Sequence, residues 1–229
     1  MVKRRKNKNK NRANLLGNAY VKDLLRIDRI PKFSPPCFGF PDRLLTKLRY
    51  HDGVDLTSTA GSQALYQLRW NSTFDPDFTS TGHQPLYRDT FASLYDQYVV
   101  CSAVCTVVFT NKVSGNTFIV GVVTDDDTSA ATSVTTICEQ NHAQWAILAM
   151  NVGGANQKKF RITWDYARYL GVDPFTSQTA KTAIGANPSE VSFLNIFGYE
   201  HVGGTGDFVV DFTLEQEVLW SELQTPTGS

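Results

Sequence analysis

The stretch Phe208-Val209-Val210-Asp211-Phe212-Thr213-Leu214-Glu215-Gln216-Glu217-Val218-Leu219-Trp220 decides the fold. Phe208, Val210, Phe212, Leu214, Val218 and Trp220 share one register, and Asp211, Thr213, Glu215 and Glu217 share the other. Successive side chains of a strand point to opposite faces, so this period of two sets an apolar row against a core and a polar row in solvent. A helix would scatter the same residues around its circumference. The segment is expected to be one long, half-exposed β-strand.

The same period recurs upstream. Leu44, Thr46, Leu48 and Tyr50 alternate with Leu45, Lys47 and Arg49; Ala64, Tyr66, Leu68 and Trp70 with Gln63, Gln67 and Arg69; Phe160, Ile162 and Trp164 with Lys159, Arg161 and Thr163. The runs 99–109, 118–123, 145–150 and 193–199 are apolar on both faces. Their β-branched and aromatic content marks the first, second and fourth as buried strands, while 145–150 reads equally as strand or helix. Segments rich in Gly, Asp, Asn, Ser and Thr separate them, as turns require. Eight strands in this order suit an all-β, eight-stranded jelly-roll sandwich. One segment breaks the period. After Pro85, residues Tyr87, Phe91, Leu94, Tyr95 and Tyr98 recur at three- and four-residue spacing, which predicts a short helix at about residues 86–95, inserted between the second and third strands.

With 229 residues, 41% hydrophobic and only 19% charged, the chain has ample apolar material for one large β domain. Its formal net charge of +0 conceals a steep division. Lys3, Arg4, Arg5, Lys6, Lys8, Lys10 and Arg12 give residues 1–12 a charge of +7, and the other 15 basic and 22 acidic side chains leave −7 on the rest. Such asymmetry points to a polyanionic partner. Seven cations neutralise up to seven phosphates, without sequence preference, and on single strands the salt slope would be about −5. These seven residues are the candidate nucleic-acid contacts; the alternative is a solubilising extension. Residues 1–14 carry almost no apolar side chain and are expected to be disordered unless bound. Residues 15–41 read as a connector. It is weakly amphipathic through Leu16, Tyr20, Leu24 and Ile27, then rich in proline (Pro31, Pro35, Pro36 and Pro41), which excludes a helix interior or a central strand. Residues 42–229 are left as the β domain.

Other chemistries find little support. Cys37, Cys101, Cys105 and Cys138 form no CxxC and have no His at zinc-finger spacing, so buried free thiols are expected, with Cys101 and Cys105 on one strand face. Asp125, Asp126 and Asp127 concentrate carboxylates in a loop but lack the spaced acids, turn glycine and closing Glu of an EF-hand. A solvated loop is the first reading, and a cation shared between subunits the second. His51, His83, His142 and His201 are scattered and read as turn or interface residues, so no metal or cofactor is expected. No GxSxG elbow occurs, and the glycines at 153–154 and 203–206 lack the lysine of a P-loop, so no catalytic residue is assigned and the chain is not read as an enzyme. Lys158, Lys159 and Arg161 with Tyr166 and Arg168 mix cations and aromatics as a nucleic-acid groove does, or are exposed strand charges. No run approaches 18 consecutive apolar residues, and the basic start is not followed by the apolar core of a signal peptide, which argues against membrane spanning and secretion. Asp23 and Asp28 interrupt the basic character that a transit peptide would need at 15–27.

Gly82-His83-Gln84-Pro85-Leu86-Tyr87-Arg88-Asp89, followed by Tyr95 and Tyr98-Val99-Val100, resembles the GHQP-containing segment before the third strand in capsid proteins of circovirus-like circular single-stranded DNA viruses. The basic start, the loop at 164–175 after a Lys158-x-Phe160-x-Ile162-Thr163-Trp164 strand, and the long last strand are similar too. The resemblance implies a single jelly roll that assembles as an icosahedral homo-oligomer of about 60 copies, whose arms would bring about 420 positive charges onto a single-stranded DNA genome. It further implies a virion protein that visits the host nucleus, with Lys3-Arg4-Arg5-Lys6 as a short signal for the host nuclear import machinery. The arm departs from the family in being short and rich in Lys and Asn rather than long and rich in Arg. Coats of small RNA viruses share the design, which keeps an RNA genome open. A non-viral β-sandwich binding module with a basic tail, lectin-like or nucleic-acid-binding, is the alternative from another class.

Overall fold

The 208–220 stretch is the inner part of a strand running from Gly206 to Leu223 in the computed structural model, which describes residues 39–128, 133–152 and 156–225. The seven arm cations, residues 15–27, Cys37, Pro31, Pro35 and Pro36 lie outside the described residues. In chain order the elements are β1 (Arg43–Ser58), β2 (Ala64–Arg69), α1 (Arg88–Ala92), β3 (Tyr95–Asn111), β4 (Phe118–Asp125), α2 (Val134–Glu139), β5 (Gln144–Leu148), β6 (Gln157–Asp165), α3 (Tyr166–Leu170), β7 (Thr182–Ala183), β8 (Phe193–Glu200) and β9 (Gly206–Leu223). One sheet has the order β1-β9-β3-β6, with the two-residue β7 also on β3, and the other has the order β2-β8-β4-β5. Every pairing is antiparallel. β7 aside, the eight expected strands are present, and their distribution over two sheets is that of a jelly roll.

β9 is the spine of the first sheet. It pairs with β1 from Arg43↔Ser221 to Ser58↔Gly206, and with β3 from Tyr95↔Leu223 to Asn111↔Phe208. Phe208, Val210, Phe212, Leu214, Val218 and Trp220 are all buried, as the alternation requires. Gln216 sits in that apolar register and is buried too. Its Nε2 donates to the carbonyls of Trp70 and Ser72 at 2.9 Å each, so it supplies the donors that a chain turning out of β2 inside the sandwich would otherwise lack.

β3 shows why 99–109 is apolar on both faces. Val100 pairs with Val218 and Ser102 with Glu217, which leaves Cys101 as the extra residue of a β-bulge. The inward parity therefore switches, from Tyr98 and Val100 before the bulge to Ala103, Cys105, Val107 and Phe109 after it. Cys101 and Cys105 are buried, and burial pushes both thiols up. Cys138 is only half-buried, so the expectation of buried thiols fails there.

Two further expectations are corrected, and one left open is settled. The inserted helix spans only Arg88–Ala92, because Tyr95 already pairs with Leu223 and Tyr98 with Trp220. The helical spacing arises because Phe91 and Tyr98 both touch Trp220, at centroid distances of 5.4 and 6.1 Å. Pro85 precedes the helix, in a turn where its carbonyl accepts from Arg88 N at 3.1 Å. Residues 145–150 resolve to strand, as β5, ending at Leu148. Gln67 and Arg69, placed on an exposed face by the alternation, are buried. The chain after β2 folds back along it, with Arg69 N donating to Pro76 O and Phe78 N to Gln67 O. Arg69 Nη1 then meets the Asp75 carboxylate at 2.8 Å beneath the Phe78 ring, and Gln67 Nε2 donates to Asn195 Oδ1 at 2.8 Å.

Tyr50, Tyr66, Tyr95, Tyr98 and Tyr166 all have hydroxyls pushed above the ordinary tyrosine value of 10, in each case chiefly by burial. A raised folded pKa leaves stability intact below 10, and stability falls above it because the unfolded chain ionises first. Stability should thus hold up to about pH 10 with respect to these groups. Above it, the tyrosinate absorbance of these five should rise in the same cooperative step as the loss of circular dichroism; ionisation of these five well before unfolding would contradict their burial.

Candidate functional site

The arm lies outside the described residues, so the described sites are those of the β domain. On the outward face of the first sheet, cations of β1 meet acids of β9 in register: Lys47 Nζ lies 3.0 Å from Glu217 and Arg49 Nη2 lies 2.6 Å from Glu215. The Glu217 hydrogen bond and charge push the Lys47 amine up. Pairs this exposed contribute at most about 1 kcal/mol, but they cancel charge across the face. The β1–β9 part of that face is therefore no cationic receptor for a polyanion.

The mixed cluster at 158–168 is not assembled as a groove. Lys159 and Arg161 are exposed on the edge strand β6, but Tyr166 is buried against Trp164 at 5.8 Å, and Tyr169 stacks on the same indole at 6.3 Å. Tyr166 belongs to the core, Lys159 and Arg161 remain strand charges, and Arg168 of α3 lies over the partly buried Tyr169 ring at 5.7 Å. The ligand oxygens of Asp125, Asp126 and Asp127 lie within 4.8 Å of one another, and Asp125 Oδ1 accepts from Asp126 N at 2.9 Å, which closes a local turn. Asp126 and Asp127 are exposed and have no salt bridge among the described residues. The cluster is an exposed acidic turn at the end of β4.

The segment after Gly82 is the most unusual part of the surface. A Cβ at Gly82 would run into the Tyr50 hydroxyl and the Asp77 side chain, so only glycine lets the chain close over β1 here. His83 then covers Tyr50 at a centroid distance of 4.6 Å, and Gln84 Nε2 donates to Phe74 O at 2.7 Å. Arg88 is buried, with its guanidinium over the Phe74 ring at 5.2 Å and Nη1 at 3.0 Å from Asp89. Between these anchors Leu86 and Tyr87 are thrust outward, 70% and 66% exposed, and Tyr87 adopts φ 67°. Together with Lys47, Arg49, His51, His83 and Glu215 they border a groove of about 520 Å³. Of the four histidines, only His51 and His83 are brought together here.

A second apolar surface lies on β5, the edge strand of the second sheet. Trp145 and Ile147 are 51% and 49% exposed. Ile147 pairs with Ile119, which pairs with Tyr199, and Trp145 pairs with Gly121, which pairs with Phe197. α2 covers the adjoining part of this face, where Ile137 packs on Val123 and Phe197, but Trp145 and Ile147 remain open. An apolar run gives no outward parity to read, so the sequence alone does not reveal this surface.

No family model matches the sequence, and no curated protein matches it. Among solved structures, the chain is similar to one from Desmodium yellow mottle tymovirus, with 14% identity and a TM-score of 0.42 over 88% of this chain and 99% of that one. It is also similar to a chain of Cocksfoot mottle virus, with 12% identity and a TM-score of 0.43 over 81% and 98% of the two chains. The BFDV capsid protein, crystallised as a 60-mer, is likewise similar, with 12% identity and a TM-score of 0.45 over 83% and 100%.

Proposed function

We propose that this chain is a viral coat protein whose jelly-roll domain self-assembles into an icosahedral shell and whose basic arm packages a single-stranded genome. The observation that carries the reading is the junction of a +7 segment at residues 1–12 to an acidic jelly-roll body, residues 42–229, whose 11 basic and 20 acidic side chains give −9. Lys3, Arg4, Arg5, Lys6, Lys8, Lys10 and Arg12 contact phosphates there, while the acidic body stays off the genome and packs against copies of itself. The segment around His83 favours circular single-stranded DNA over RNA, and Lys3-Arg4-Arg5-Lys6 serves entry into the host nucleus before the protein resides in the virion.

The test is a negative-stain micrograph of the full chain with its absorbance ratio at 260 and 280 nm. Uniform particles that carry nuclease-protected nucleic acid are expected. A protein that stays monomeric at every salt concentration would overturn the reading, and small uniform oligomers that bind sugar would replace it with a lectin-like module.

A further inference from the structure

We infer that the Nε–Nη2 edge of Arg88 binds a small oxyanion of the phosphate or sulfate class, together with the Thr73 hydroxyl, and that the ion fastens the 82–89 segment to the chain leaving β2. This site is separate from the basic arm and stands whether or not the chain assembles. At its centre is a buried cation with one whole edge of its donor fork unused.

The Arg88 side chain is 7% exposed, and its Nη1 donates to Asp89 Oδ1 at 3.0 Å. Nε and Nη2 are buried and have no hydrogen-bond partner among the described residues. These two nitrogens lie on the same side of the planar guanidinium, so their N–H groups run parallel at the spacing that two oxygens of one oxyanion match. The Phe74 ring, 5.2 Å from Cζ, attracts the cation without supplying an acceptor for either N–H. The same corner holds a second unpartnered group: Thr73 is fully buried, and its Oγ1 has no partner among the described residues. The Tyr98 hydroxyl ties the two together. Burial pushes that hydroxyl up, while hydrogen bonds with Ser72, Thr73 and Phe74 and the charge of Arg88 oppose the rise, so it lies where these residues meet.

Arg69, the other arginine buried among the described residues, shows why the ligand is an anion. It too lies over a phenylalanine, Phe78, at 4.9 Å, but its Nη1 meets Asp75 Oδ2 at 2.8 Å, and that acid is only 20% exposed. Its charge is answered inside the fold. Asp89 is 80% exposed, so water screens what it offers Arg88, and no other salt bridge to Arg88 occurs among the described residues. A buried cation with unsatisfied donors and no buried counter-charge destabilises the fold that holds it. A water molecule would accept a hydrogen bond and leave the charge; an oxyanion answers both the paired N–H groups and the charge. Because both nitrogens are shut from solvent, the ligand is a free ion and not a phosphate of a nucleic-acid chain. The exposed Leu86–Tyr87 knob and Asp89 flank Arg88 in sequence, so a local shift of this short segment admits the ion. Once bound, it holds the knob outward.

Thermal melting of the full chain, followed by circular dichroism, tests the site, with ionic strength held by sodium chloride while sodium phosphate or sulfate is raised from zero. At an anion concentration well above its Kd the midpoint should be higher by about 3 °C or more. Arg88→Met keeps a side chain of similar length against Phe74 and should abolish the rise. Thr73→Val, of the same shape, should reduce it. Arg88→Lys keeps the charge but not the parallel N–H pair, and should need about tenfold more anion for the same rise. The arm is present in every variant, so whatever the anion does there is common to all of them. Deoxyadenosine monophosphate, too large for an enclosed edge, should raise the unaltered chain no further than it raises Arg88→Met. No rise in the unaltered chain, an equal rise in Arg88→Met and Arg88→Lys, or a nucleotide effect as large as that of phosphate would overturn the site.

Discussion

Replacing Trp220 by Ala should lower stability by about 3–5 kcal/mol, the range for deleting a large buried aromatic. For a domain stabilised by about 5–15 kcal/mol this takes much of the margin. The site explains the size. Trp220 is fully buried in β9, stacks on Phe91 of α1 at 5.4 Å, and lies 6.1 Å from Tyr98 of β3. Its Nε1 donates to Thr46 Oγ1 of β1 at 2.8 Å. One indole thus fastens both neighbours of β9 and the inserted segment. Trp220→Phe keeps most of the apolar volume and loses the hydrogen bond to Thr46, so about 1 kcal/mol is expected from that bond. Urea unfolding separates the outcomes: the Ala variant should shift its midpoint down by about 1 M or more with an unchanged slope, and the Phe variant by a fraction of that. Equal midpoints for Ala and Phe would show that Trp220 is not packed as described.

How far the fold could be read from the sequence follows from where each strand lies. β1, β6 and β9 have one face in water, so their alternation is visible, and the polar row of β9 marks it as long and half-exposed. β8 is buried on both faces and reads only as an apolar run. In β3 the bulge at Cys101 moves the inward parity by one, and Val104 and Val108 on the outer face hide the alternation that follows it. Polar burial is the harder case. Gln67, Arg69 and Gln216 look like surface residues until Asn195 of β8 meets Gln67, the chain folding back after β2 brings Asp75 onto Arg69, and the carbonyls of Trp70 and Ser72 reach Gln216.

The candidate surfaces divide along the same line. The arm is legible because charge density needs no fold to be counted. The Leu86–Tyr87 knob lies within a segment that the resemblance marks, but its outward thrust depends on Gly82 closing over Tyr50 and on Arg88 being held beneath Phe74. The Trp145 face was hidden in a run that could have been helix. The cluster at 158–168 left two readings open for the opposite reason: sequence proximity put Tyr166 beside the cations, and the fold turns that ring into the core.

Deleting residues 1–12 should remove nearly all nucleic-acid binding and leave the body intact. The deletion takes away seven cations and leaves a chain of charge −7, which repels phosphate. The argument is electrostatic: seven phosphate contacts on a single strand give a slope of about −5 in log affinity against log salt, so the full chain should lose about 10³ in affinity between 50 and 200 mM salt. The truncated chain should bind at background level with no measurable slope. Replacing two of the seven cations by Gln should flatten the slope by about 1.4, whichever two are chosen, because contacts of this kind count charges rather than positions. The body should unfold at an unchanged urea midpoint, since residues 42–229 form a compact unit of their own. Filter binding at four salt concentrations, with oligonucleotides of unrelated sequence, reads the affinities and slopes, and urea unfolding reads the midpoint. A slope well below 5 in the full chain would mean that fewer cations reach phosphate than the arm carries. Binding that survives truncation would move the nucleic-acid site into the β domain, where the ion-paired β1–β9 face offers no net positive charge to hold it.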